Sequence, residues 1–70
     1  MEEIKASMAG SIWQIHIVVG DNVSAGQDVV ILESMKMEIP IATERAGIVK
    51  EVKMSEGDFV NEGDIIAVIE

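Results

Sequence analysis

The chain repeats itself. Residues Ala9 to Glu33 align on Ala46 to Glu70 at a constant offset of 37, without a gap. Ala9-Gly10 falls on Ala46-Gly47, Gly20-Asp21 on Gly57-Asp58, Val23 on Val60, Gly26 on Gly63 and Glu33 on Glu70. Apolar falls on apolar at Ile12 and Val49, Ile15 and Val52, Val29 and Ile66, Ile31 and Val68, and Leu32 and Ile69. Chance rarely aligns three glycines in one gapless frame. Such a duplication reads as two copies of one supersecondary unit, each too small to bury its own apolar face. Packed together they enclose a single core about an approximate two-fold axis.

Each copy reads as strands. Ile12 to Val19 and Ile48 to Met54 are rich in β-branched residues, and Val29 to Leu32 and Ile65 to Ile69 are short apolar runs. Ile15 and Ile17 alternate with Gln14 and His16, as on a strand with one wet face. Ile12 is out of phase, which predicts a bulge near Trp13. Gly20-Asp21 and Gly57-Asp58 read as turns, with second turns at Ala25-Gly26 and Glu62-Gly63. No helical period is sustained. The fold class is all-β: about eight short strands in two sheets, closed into a flattened barrel with quasi-two-fold symmetry, a single domain spanning residues 1–70.

Composition narrows the function. With no cysteine and one histidine, disulfides, thiolate metal sites and an imidazole metal site are excluded. A chain of 70 residues has little core to spare for an enzyme cleft. Thirteen acidic against five basic residues, a net charge of -8, argues against nucleic acid. No apolar run approaches the roughly 20 residues of a membrane span. The start, Met1-Glu2-Glu3-Ile4-Lys5, is too acidic for a signal peptide, so the expected location is cytoplasmic.

The joint between the copies carries the chemistry. Strands running in from Val29 and out to Ala42 demand a reversal near Met35-Lys36. Two-residue hairpin loops favour pairs such as Asn-Gly, because both residues need positive φ. Met and Lys are poor choices there, and local rules broken at one spot are expected at functional sites. For an arbitrary Met-Lys-Met the bland reading is two core methionines and a solvated lysine. Position changes that weighting, because Lys36 has 35 residues before it and 34 after it, at the joint of the repeat.

Glu33-Ser34-Met35-Lys36-Met37-Glu38 resembles the biotin attachment motif of the biotinyl/lipoyl carrier domains, usually Ala-Met-Lys-Met. The resemblance spans nearly the whole chain. Met8-Ala9-Gly10-Ser11-Ile12 matches the family's opening segment, and the stretches Gly20 to Gln27 and Glu56 to Asp64 match its two Gly-Asp-x-Val-x-x-Gly turns. It implies a barrel-sandwich hybrid of two antiparallel four-stranded sheets. It implies biotin attached covalently to Lys36, with Met35 and Met37 flanking it for recognition by a biotin protein ligase. It implies a carrier that is not itself an enzyme. Its biotin would be loaded by a biotin carboxylase and unloaded by a carboxyltransferase. Ser34 departs from the usual alanine and gives a Glu-Ser pair like that of lipoyl domains, so a lipoyl or dual carrier is the alternative. The inserted thumb of some acetyl-CoA carboxylase carriers has no counterpart. From another class, an unmodified interaction module is the third reading. The chain's extent fits a free-standing carrier, and an excised domain would look the same.

Other residues draw plainer expectations. His16 reads as a solvent-facing strand residue rather than a phosphoryl acceptor, since such sites pair two histidines. Trp13 reads as a surface or half-buried packing residue, its exposed alternative being a partner contact. Pro40 is expected to border an edge strand. Glu33 and Glu38 flank the tip.

Overall fold

The computed structural model describes residues 1–70 and is built of strands. In chain order these are β1 (Glu2–Lys5), β2 (Gly10–Ile15), β3 (Asn22–Val23), β4 (Asp28–Ser34), β5 (Met37–Ala42), β6 (Gly47–Val52), β7 (Phe59–Val60) and β8 (Ile65–Ile69). They form two four-stranded antiparallel sheets, ordered β1-β8-β6-β3 and β5-β4-β2-β7. Offset 37 exchanges the sheets. It carries β1 onto β5, β2 onto β6, β3 onto β7 and β4 onto β8.

The duplication extends to individual hydrogen bonds. Ala6 N donates to Asp64 O at 2.9 Å, and its counterpart Thr43 N to Gln27 O at 3.0 Å. Gly63 N donates to Ala6 O at 2.9 Å, and Gly26 N to Thr43 O at 2.7 Å. The expected bulge at Trp13 is present as a register slip between Ile12 and Gln14 against β4. Its twin lies between Val49 and Glu51 against β8.

Four turns of one design join the strands. In each, the fourth residue's backbone N–H bonds back to the first residue's carbonyl, while its side chain accepts from the first residue's N–H. Asp21 closes on Val18 at 3.0 Å, Asp58 on Ser55 at 2.9 Å, Asp64 on Asn61 at 2.8 Å and Gln27 on Ser24 at 3.0 Å. The third residue is a glycine with φ between 82 and 96 in all four, which explains the recurrent Gly-Asp. The repeat's opening glycine has a different cause. A Cβ on Gly10 would lie 2.7 Å from the Glu33 carbonyl oxygen, and one on Gly47 would strike that of Glu70.

Between the sheets lies one core drawn from both copies, including Ile4, Ile12, Val29, Val30, Leu32, Ile41, Val49, Val60, Ile66 and Ile69. The strands differ from expectation in two ways. The long runs stop early, β2 at Ile15 and β6 at Val52, because turn closure begins at Val18 and Ser55. Ile17 is still buried, but Val18 and Val19 are exposed. In addition, Glu2–Lys5 pairs with β8 as a strand that its single apolar residue Ile4 did not announce.

Candidate functional site

The longest strand, β4, ends in the tightest link. β4 and β5 are joined by Met35 and Lys36 alone, between the paired Ser34 and Met37. Their φ angles are 52 and 64, and they are the only non-glycine residues in the left-handed region. Both values suit the type I′ turn that matches strand twist. Each such residue costs on the order of 1 kcal/mol. The hairpin arms hold the bend in place, because Val29, Val30 and Leu32 of β4 are fully buried and Ile41 of β5 is buried beside them.

At the tip everything faces water. Met35 is 87% exposed and Met37 56%, so neither methionine is a core residue. Lys36 is exposed and takes part in neither ion pair of the molecule, which are Lys5–Glu3 at 3.8 Å and Lys53–Glu51 at 3.3 Å. Behind the tip, Glu33 and Glu38 stand directly opposite each other across the strands. Under the repeat, the tip corresponds to the place where Glu70 follows β8 and Met1 precedes its neighbour β1. The joint of the duplication and the bend of the hairpin are therefore one place.

Concave sites lie elsewhere. The largest surface hollow, about 350 Å³, is lined by Met1, Glu2, Glu3, Lys5, Glu44 and Arg45, and the others share that neighbourhood. No group of three or more His, Cys, Asp or Glu side chains is placed to hold a metal ion. His16 is exposed and hydrogen-bonds Gln14 at 2.8 Å. Trp13, 44% exposed, is a surface residue of β2, and Pro40 sits within edge strand β5. The tip thus offers one chemical capability, a primary amine open to acylation. A covalently held group fits here, because attachment needs a reachable nitrogen and free space rather than a cavity.

No local pattern announces Glu2. Its carboxylate accepts from the Thr43 hydroxyl at 2.8 Å, Glu44 N at 3.0 Å and Arg45 N at 3.1 Å. Desolvation raises its pKa, but these hydrogen bonds and the Arg45 charge outweigh it and hold the group below its ordinary value. The clamp secures the loop before β6, and its counterpart position beside the tip is Ile39.

The family model described as "Biotin-requiring enzyme" matches residues 2–69. The biotin/lipoyl attachment protein of Bacillus subtilis is 60% identical over 63 residues, which is 90% of this chain and 86% of that one. The chain belongs to the biotin/lipoyl attachment family. Pyruvate carboxylase of Staphylococcus aureus is 39% identical over 67 residues, which cover 96% of this chain and 6% of that one. In the crystal structure of Kluyveromyces lactis urea carboxylase, a segment superposes on 99% of this chain with a TM-score of 0.92 at 36% identity, and makes up 6% of that chain. The protein is therefore a biotin-type carrier domain, homologous to a small segment of these carboxylases. That kinship favours the biotin reading over the lipoyl one.

Proposed function

We propose that Lys36 is the attachment residue, joined to biotin by an amide on its Nζ, and that residues 1–70 act as one non-catalytic attachment domain. The observation that carries this reading is the exposed Met35-Lys36 bend, held in left-handed backbone at the joint of the repeat.

The chain's contribution is presentation. The biotin protein ligase must free the amine's lone pair so that nitrogen attacks the acyl carbon of biotinyl-adenylate, forming the amide as the acyl–phosphate bond breaks and AMP leaves with the amine proton taken up by a base. The rigid arms fix where the amine stands. Met35 and Met37 supply adaptable apolar surface on either side for the ligase to read. Once attached, biotin supplies the carboxyl-carrying chemistry. A biotin carboxylase and a carboxyltransferase are the enzymes between which the domain shuttles. Tethering raises the local concentration of the carried group to about millimolar. The proposed setting is the cytoplasm, where ATP-dependent loading takes place; no helix is long and apolar enough to cross a membrane.

Intact mass after expression with a biotin protein ligase tests the reading. One biotin is expected on the wild type and none on Lys36→Ala. Loading by a lipoyl ligase instead, or no loading by either, would sink it. Met35→Asp combined with Met37→Ala is expected to slow biotin uptake and shift preference towards lipoate. Unchanged biotin uptake would show that the methionines are not read.

A further inference from the structure

The duplication provides an internal control. Both halves build the same sheet, so packing makes the same demands at equivalent positions. Where exposed residues differ in kind, the cause lies outside the fold. The chain has two aromatic residues, Trp13 and Phe59, and they are 44% and 66% exposed. Both belong to the sheet that bears the tip. Phe59 pairs with Ser11, and Trp13 follows two residues further along β2. On the neighbouring strands the partly exposed Ile31 pairs with the exposed Pro40. The other sheet carries Lys50 where Trp13 stands, Asn22 where Phe59 stands and Glu3 where Pro40 stands, and its one large exposed apolar side chain is the aliphatic Ile48, 49% exposed where the tip-bearing sheet has Ser11.

Charge divides the same way. Strands β5, β4, β2 and β7 contain Asp28, Glu33 and Glu38 and no Lys or Arg. Both ion pairs of the molecule involve the other sheet or the residue just after it. Glu33 and Glu38 are directly opposed, an arrangement that costs stability, and neither takes part in an ion pair. Acylation of Lys36 turns an ammonium into a neutral amide, and this face then displays carboxylates only.

We propose that the outer face of sheet β5-β4-β2-β7 is the dock for the biotin carboxylase that acts on the loaded domain, through an apolar patch rimmed by Lys or Arg on that enzyme. The inference rests on Lys36 being the biotin site. Aromatic side chains are the usual anchors of protein contacts, with charge steering around them. Loss of the Lys36 charge makes the loaded form the better match for a basic rim. That separates the carboxylase, which takes loaded domain, from the ligase, which takes unloaded domain; a carboxyltransferase shares the first property, and a defect met only there leaves the carboxylase KM unchanged.

The test exchanges residues between halves. The double variant Trp13→Lys, Phe59→Asn carries what the fold already accepts at equivalent positions, and circular dichroism melting checks its folding. The control is Lys50→Ala, Asn22→Ala on the other sheet. The probe is a purified biotin carboxylase selected for turning over the biotinylated wild-type domain with ATP and bicarbonate. The expected result is a KM for the double variant raised about tenfold or more, with kcat within about twofold, unchanged loading by the ligase and an unaffected control. The KM of the wild type should also rise with salt more steeply than that of Glu33→Gln, Glu38→Gln. An unchanged KM in the double variant overturns the dock. So does a defect confined to ligase loading, which would make the face a ligase contact. Sedimentation showing a wild-type dimer that the double variant abolishes would assign the face to a second copy and also overturn it. A wild type that takes no biotin removes the Lys36 reading itself, an outcome mass spectrometry separates from the other three.

Discussion

Met35 occupies backbone that asparagine tolerates far better. With φ at 52 it carries the left-handed penalty without a short polar side chain to relieve it. Met35→Asn is expected to raise unfolding stability by about 1 kcal/mol in denaturant titration and to slow biotin loading. A variant that gains stability and loads at the wild-type rate would show that the methionine is an accident of sequence. Glu2 gives the complementary case. Its folded pKa lies below its ordinary value of 4.5, so its contribution is full above that pH and is lost as pH falls through the folded value. Glu2→Gln should lower stability at neutral pH and narrow the gap from wild type in acid, as read by melting temperature across pH 2 to 7. Lys36 and its flanking methionines were legible because they break turn chemistry at the midpoint of a repeat. Glu2 was not, because a hydrogen bond reaching across 41 residues leaves no local pattern.

Strands and turns were legible to different degrees. Gly-Asp stands at three of the four turns and Gly-Gln at the fourth, because positive φ at the third position admits little but glycine. The bulge at Trp13 showed itself as a phase error. Strand lengths were overread, since β-branched residues at Val18 and Val19 suggest extension and say nothing of Asp21 closing the turn on Val18. β1 hid because Ile4 is its only apolar residue, yet extending the offset upstream would have set Ile4 on Ile41. The close approach of Gly10, at the start of β2, to the end of its neighbour β4 makes the sharpest prediction at this scale. Gly10→Ala forces a methyl to 2.7 Å from the Glu33 carbonyl oxygen, and should cost about 2 kcal/mol or more by chemical denaturation. The damage would fall on the strand that leads into the hairpin, so loading should slow as well. By contrast Asp64→Ala removes one turn hydrogen bond and should cost about 1 kcal/mol with loading intact.

For the molecule as a whole, symmetry is a specification that can be completed. Glu2 pairs with Ile69, so the first and last residues lie on adjacent strands. Joining Glu70 to Met1 through Ser-Met-Lys-Met would copy the existing hairpin in register, since Glu70 and Met1 stand where Glu33 and Glu38 do. A circular permutant opened between Val19 and Gly20 and closed in this way should fold and take up two biotins by intact mass. A single biotin would show that the ligase reads more than the bend, and that the two sheets differ in its eyes. The barrel itself was legible from the duplication, while the confinement of both aromatic residues to one sheet became meaningful only with the sheets assembled.

Pro40 in the middle of β5 has a bearing on how such a domain parts from its partners. An edge proline leaves the open side of its strand a donor short. Another polypeptide cannot zip onto the hairpin as an extra strand, and every encounter along that border must be made by side chains. Contacts of that kind release readily.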